Sequence, residues 1–299
     1  PGAGRDVSPF PAAACAVSTR AANDFEGATR AANDFDVIVV THRSARVLPA
    51  CLAALGPLRA RVLAVDNASD DGTRELLARH DVATLALDTN TGYAAAANRG
   101  ARATHAPLLC FLNPDCEAAP EVFAAAHAAL AGRDDACAVP HIAESGRVLD
   151  GSQPGYSTVK LLWDVLASNY GEGPLCRWLA RRPGFDDPTW RWPHGACLFV
   201  PRGLFVALGG FDERFFLYME DVDFGCRLAA HGARIVHLDA EVRHGGHAGA
   251  SVSHRRQLGL LNRGRARYAE LHHGRGLARL LSALAMPSMA LRAATGVGA

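Results

Sequence analysis

The chain has 299 residues, 49% hydrophobic and 20% charged, with 31 basic against 30 acidic side chains and a formal net charge of +1. It is long enough to bury a substantial core in one large or two small α/β domains, and its overall charge offers no basis for binding nucleic acid. Its eight cysteines form no C-x-x-C pair, and Cys51, Cys110, Cys137, Cys197 and Cys226 fall in apolar patterns. That usage argues against a disulfide framework or zinc site and for a cytoplasmic location.

Residues 1–34 are rich in Pro, Ala and Ser, and Ala21-Ala22-Asn23-Asp24-Phe25-Glu26 recurs as Ala31-Ala32-Asn33-Asp34-Phe35-Asp36. They are expected to be a disordered or artificially appended segment outside the fold. From Asp36 the pattern alternates, with strands over 36–41, 62–65, 83–87 and 108–112 and helices over 47–55, 73–79 and 93–102. This alternation predicts a mostly parallel central sheet with flanking helices. A helix over 120–130 and a strand over 137–140 follow, and periodicity is then lost between Glu144 and Trp192, a stretch rich in Gly, Pro, Asp and Trp that reads as a substrate-facing excursion. A strand over 195–200 resumes the order, and a short helix over 202–208 ends at Gly209-Gly210. A helix over 220–230 ends at Gly232, a strand covers 234–238, and His244 and His247 lie in a Gly-rich loop. Beyond His254 the chain reads as two helices separated by Gly274-Arg275-Gly276, with Pro287 in the second. No apolar run reaches the roughly 18 residues of a membrane span.

Open α/β sheets collect their ligands at the carboxyl ends of the strands, and polar residues cluster there in this chain. Asp66, in Val65-Asp66-Asn67-Ala68-Ser69, can accept from the N3–H of a pyrimidine base, although turns and helix caps select the same residue types. Asn90, before Thr91-Gly92-Tyr93, and Asn98 in the following helix can line a nucleotide. Neither G-x-G-x-x-G nor G-x-x-x-x-G-K-[ST] occurs, so dinucleotide and P-loop readings lose their main support and phosphates must be held by metal and side chains. Asn113-Pro114-Asp115 closes the fourth strand. It reads either as a strand-ending turn or as the place where Asp115 shares a divalent cation, Mg2+ or Mn2+, with a diphosphate. Glu220, Asp221 and Asp223 open a helix whose dipole favours their ionised forms, beside an apolar wall, Phe215-Phe216-Leu217-Tyr218-Met219, that can tune a general base. His244 and His247 can ligate the metal or touch phosphate.

Taken together, VVTHRSARVLPACLAAL, VDNASDDGT, NTGYAAAANRG, FLNPD, GACLFVPRGLFVALGGFDERFFLYMEDVDFGCRL and the late histidine closely resemble family 2 glycosyltransferases, in particular the rhamnosyltransferase-like branch, over roughly 36–273. The resemblance implies a GT-A fold, an α/β nucleotide-diphospho-sugar domain over 35–253 with a nucleotide-sugar half (35–118) and an acceptor half (119–253). A helical extension over 254–299 follows. On the matching positions, the resemblance gives Thr41 and Asp66 to the base, Asn90 and Asn98 to the nucleotide-sugar region, and Asp115 to the metal. Asp221 becomes the general base, Glu220 and Asp223 orient acceptor or base, and His244 is a late metal or diphosphate ligand. The family's central D-x-D is here Asn113-Pro114-Asp115, with a single carboxylate.

The implied reaction is an inverting transfer of L-rhamnose from dTDP-L-rhamnose, or of a sugar from a UDP donor, to a hydroxyl of a bacterial surface polysaccharide or lipid-linked glycan. A sugar-phosphate nucleotidyltransferase would want a Gly-rich loop that is absent here, and a non-catalytic nucleotide-sugar-binding subunit need not keep Asp221. Between Arg243 and Arg292 the chain has nine arginines and one acid, Glu270. With the apolar run 280–286, this predicts peripheral contact with the anionic inner face of the cytoplasmic membrane.

Overall fold

In the computed structural model, residues 34–167, 178, 182–245 and 254–295 are described. The expected N-terminal extension, apart from Asp34, and His247 lie outside them. Strand β1 (Phe35–Thr41) is a continuous apolar run buried at nearly every position, as a strand covered on both faces must be. It pairs in parallel with β2 (Val62–Asp66) and β4 (Leu108–Leu112), and β2 in turn pairs in parallel with β3 (Ala83–Ala86). Helices α1 (Leu48–Leu55), α2 (Thr73–Arg79) and α3 (Tyr93–Arg102) make the crossovers. Strand periodicity divides β1 between two cores. Val37 and Val39 join Leu48, Leu52 and Leu77 on one face, while Ile38 and Val40 join Ala94, Ala97 and Ala101 on the other.

Past β4 the sheet becomes mixed. It continues through β10 (Cys197–Pro201), β6 (Ala136–Glu144), β11 (Arg234–His244) and β5 (Cys116–Glu117), with β7 (Arg147–Leu149) paired to β6. β10 runs antiparallel to both β4 and β6, and β11 runs parallel to β6. Helices α4 (Pro120–Leu130), α6 (Arg202–Ala207) and α7 (Glu220–Ala230) cover this half.

The region 144–192 is more ordered than its sequence predicts. Besides β7 it holds a second, two-stranded sheet of β8 (Ser152–Tyr156) and β9 (Asp186–Pro193), and helix α5 (Thr158–Ala167). β8 carries Pro154 and Gly155, β9 opens on Asp186-Asp187-Pro188, and the two pair with a register shift between Pro154 and Gly155, so the alternation that marks a strand is absent from β8 and confined to the end of β9. β11 also runs on to His244, beyond the predicted 234–238, because an irregularity between His237 and Glu241 interrupts its pattern without ending its pairing.

Helices α8 (His254–His272) and α9 (Arg275–Thr295) turn at Gly274, whose φ is +95°. They pack through a third core in which Tyr268, Ala269 and Leu281 meet Leu161, Val165, Met219 and Val222. Among the described residues no helix is long and apolar enough to cross a membrane, and Cys51, Cys110, Cys116, Cys137, Cys197 and Cys226 are free thiols.

Candidate active site

The predicted nucleotide residues sit at the carboxyl edge of the parallel half. Thr41 and Asp66 are register partners at the ends of β1 and β2, and the Thr41 hydroxyl donates to Asp66 Oδ1 at 3.0 Å. Asp66 is fully buried. Burial opposes its ionisation, but hydrogen bonds from Ser69, Arg74 and Thr41 prevail and hold the carboxyl below its ordinary value. It is therefore a charged acceptor at neutral pH. Asn67 bridges outward, donating to the Gly92 carbonyl at 3.0 Å and accepting the Thr91 N–H at 2.8 Å. Asn90 Oδ1 accepts the Gly92 N–H at 3.0 Å, closing the loop before α3. Gly92 has φ +86°, and a Cβ there would collide with the Phe216 backbone, so this loop touches the segment that leads to the second acidic cluster.

Asp115 and His244 come together through the sheet. β5 pairs with the end of β11 so that His244 stands opposite Cys116, which brings His244 Nε2 to 3.4 Å from Asp115 Oδ1. Nδ1 of the same ring lies 3.2 Å from Glu144 Oε2. Burial disfavours the imidazolium, but Asp115 and Glu144 outweigh it and raise His244 above its ordinary value.

The second cluster begins at a strained turn. Tyr218 and Met219 have φ of +71° and +74°, a conformation costing about 1–2 kcal/mol per non-glycine residue, and Met219 caps α7 from the left-handed region. Asp221, at the first turn of α7, is held at both oxygens. Oδ2 accepts the Gly195 N–H at 3.1 Å, and Oδ1 accepts its neighbour Val222's N–H at 2.9 Å. Glu220 is buried, and its Oε2 has no partner among the described residues. Burial raises both carboxyls above their ordinary values, and the adjacent charge of Asp221 adds to the effect on Glu220.

The loop between β9 and β10 joins the two clusters. Gly195 holds Asp221, the His194 ring stands edge-on to His244 at 5.9 Å between centroids, and the Ala196 carbonyl accepts the Asn113 N–H at 2.9 Å. His194 is held down to about 4 by burial and by His244. It is neutral at pH 7, with Nδ1 accepting the Ala196 N–H at 3.2 Å. His194, Gly195 and Glu144 were not found from the sequence, because they lie in or beside the stretch without periodicity. The only local signal is a Pro193-His194-Gly195 punctuation ahead of an apolar strand.

Two predicted site residues are engaged elsewhere. Asn98, expected to line the nucleotide, donates to the Phe211 carbonyl at 2.7 Å and accepts the Phe211 N–H at 2.9 Å, so its amide clamps the chain ahead of the strained turn. Asp223, expected to orient acceptor or base, has Oδ2 bonded by Arg227 Nε at 2.8 Å and Oδ1 at 2.8 Å from His272 Nε2. Its carboxylate faces α8.

A family model described as Glycosyl transferase family 2 matches residues 36–187. The N-acetylglucosaminyl-diphospho-decaprenol L-rhamnosyltransferase of Mycobacterium tuberculosis is 33% identical over 231 residues, which cover 70% of this chain and 75% of that protein. The chain belongs to glycosyl transferase family 2. It is a glycosyltransferase with a rhamnosyltransferase-like relative whose name places its action on a lipid-linked N-acetylglucosamine.

A shorter match, 46% identical over 48 residues, covers 16% of this chain and 4% of the O-antigen biosynthesis protein RfbC of Myxococcus xanthus. Among solved structures, GalNAc-T7 with UDP, GalNAc and Mn2+ superposes with a TM-score of 0.56 at 16% identity, over 79% of this chain and 47% of that one. The mannosyltransferase PcManGT of Pyrobaculum calidifontis, with GDP-Man and Mn2+, superposes with a TM-score of 0.52 at 17% identity, over 89% of this chain and 76% of that one. At such identities the superpositions establish the GT-A fold, a mixed α/β sheet with flanking helices.

Asp115, Cys116 and His244 offer ligand atoms within 4.8 Å of one another in this family 2 chain. The thiol is the poor member of the three. Cys116 is fully buried and directed at the Ala196 carbonyl at 3.3 Å, and burial keeps it protonated far above its ordinary value. The remaining carboxylate and imidazole suit a hard or borderline divalent ion that keeps open positions for phosphate oxygens and water.

Proposed function

We propose that this family 2 enzyme transfers L-rhamnose from dTDP-L-rhamnose, with inversion, to a hydroxyl of a lipid-linked glycan acceptor of the bacterial cell envelope. The observation that carries this reading is the juxtaposition of Asp221, oriented by two backbone N–H groups and tuned upward by burial, with the Asp115–His244 pair across the 193–196 loop. The similarity to a mycobacterial rhamnosyltransferase supports the choice of sugar and of a lipid-linked acceptor.

Asp221 takes the proton of the acceptor hydroxyl as that oxygen attacks the anomeric carbon. The bond from the anomeric carbon to the diphosphate breaks on the opposite face, and its electron pair leaves with the nucleoside diphosphate. The raised value of Asp221 brings its proton affinity toward neutral pH, as a general base requires. Glu220, buried beside it, keeps the local charge low while protonated and orients the acceptor. Asp66 and Thr41 read the pyrimidine base, and Asn90 shapes the loop that borders the nucleotide. Asp115 and His244 would hold Mg2+ or Mn2+, which supplies neutralisation of the diphosphate charge when bound. The enzyme works in the cytoplasm, at the inner face of the membrane.

The test is incubation with dTDP-L-rhamnose, UDP-N-acetylglucosamine or GDP-mannose and a short-chain N-acetylglucosaminyl-diphospho-lipid, with the product read by mass spectrometry and its anomer by NMR. Rhamnosylation with inverted configuration is expected. Turnover of only the UDP-sugar would replace the donor, and retained configuration would remove Asp221 as base.

A further inference from the structure

The residues that present Asp221 do not hold their conformation by themselves. Tyr218 and Met219 occupy the left-handed region without being glycine, and such conformations persist where neighbours over-determine them. On one side the Phe216 carbonyl accepts the Tyr93 N–H at 2.7 Å. On the other side lies α8. A Cβ on Gly264 would stand 2.7 Å from the Tyr218 carbonyl oxygen and 3.0 Å from Met219 Cγ, so the helix rests on the strained pair at a distance only glycine permits. Residues at four-residue spacing share a helix face, and Tyr268 and His272 continue the face of Gly264. Tyr268 is buried in the same core as Met219 and Val222. His272 Nε2 meets Asp223 Oδ1 at 2.8 Å, two residues beyond Asp221. The Asp223 carboxylate and the neighbouring Cys226 raise the ring to about 9 against burial, so the contact is an ion pair at neutral pH.

We propose that Gly264 and His272 of helix α8 are positioning residues for glycosyl transfer, holding the Tyr218–Met219 turn and the first turn of α7 and thereby the direction of the Asp221 carboxylate. The helical extension is then a working part of the site rather than an appendage to it. Neither residue needs to touch donor or acceptor, since displacing a base by about 1 Å is enough to cost up to about a hundredfold in rate. The inference rests on Asp221 as the base.

The test uses the full chain with Gly264→Ala, His272→Phe, His272→Gln and, as a control, Leu281→Ala, which loosens the same core from α9. The measurements are kcat and KM for dTDP-L-rhamnose, dTDP affinity in Mg2+, melting temperature, and hydrogen exchange over 216–224. Gly264→Ala and His272→Phe are expected to lower kcat by about tenfold or more with KM and dTDP affinity within about threefold. Exchange over 216–224 should rise above that of Leu281→Ala, and His272→Gln, which keeps a hydrogen-bond donor, should recover most of the kcat. Equal kcat losses in Gly264→Ala and in Leu281→Ala at matched melting temperature, or unchanged exchange over 216–224, would overturn the inference. If Gly264→Ala does not fold, the two His272 variants decide it. If the wild-type chain transfers no rhamnose, the donor assignment fails, while the exchange comparison still decides the role of α8.

Discussion

In the proposed reaction Asp221 is the base, and its replacement by Asn keeps the side chain's size while accepting only one of its two backbone N–H groups. Asp221→Asn should lower kcat by about 10²–10⁴-fold, the usual worth of a general base, with dTDP affinity nearly unchanged. Asp115→Ala should act the other way, weakening dTDP binding in saturating Mg2+ by about tenfold or more in a calorimetric titration. Unchanged affinity would leave Asp115 a turn residue.

Glu220 carries a pH signature. Its folded value is raised by burial and by Asp221, whereas a free Glu titrates near 4.3. A carboxyl shifted upward contributes stability that is fully present below its ordinary value and is lost as pH rises through the raised one. Glu220→Gln removes that loss, so the variant should melt about 3 °C or more above wild type at pH 8.5, with the difference vanishing toward pH 4. A constant difference across that range would mean that Glu220 is not held up by its surroundings.

At the scale of elements, the site is assembled by contacts between segments far apart in the chain. Asn98 on α3 satisfies both the N–H and the carbonyl of Phe211, and those groups would be left buried without it. Asn98→Ala should therefore destabilise the fold by about 1–3 kcal/mol, seen as a lower urea midpoint, with dTDP affinity retained in the folded protein. A loss of affinity without loss of stability would instead return Asn98 to the nucleotide. The polar ends of β1 to β4 were legible in the sequence because each follows an apolar strand directly. The engagements of Asn98 and Asp223 were not, since a side chain's partner 113 or 49 residues away leaves no local trace.

For the whole molecule, the basic extension both packs inward and faces out. Leu281 is buried at 1% exposure, so the apolar run 280–286 is partly core, while Leu280 is 46% exposed. Arg255, Arg256, Arg263, Arg275 and Arg279 of the two helices are exposed. Each arginine near an anionic leaflet contributes about 1 kcal/mol. The full chain should co-sediment with vesicles of phosphatidylglycerol at low salt, detach at high salt, and bind neutral vesicles weakly. Replacing these five arginines by glutamine should abolish the pelleting without lowering the melting temperature, and pelleting that survives would place the membrane contact elsewhere.

The order of β1 to β4 and their crossover helices, the carboxyl-edge placement of Asp66, Asn90 and Asp115, and the acidic first turn of α7 were set by the sequence itself. Each depends on hydrophobic period, turn chemistry and the helix dipole, which act within a few residues. Tertiary structure alone decided that His244 meets Asp115, through the β5–β11 register. It also decided that the Gly195 N–H orients Asp221 and that Asp223 binds His272 on α8. Those pairings join segments whose separation in the chain carries no periodic signal, and they form only when sheet register and helix packing bring the backbones together.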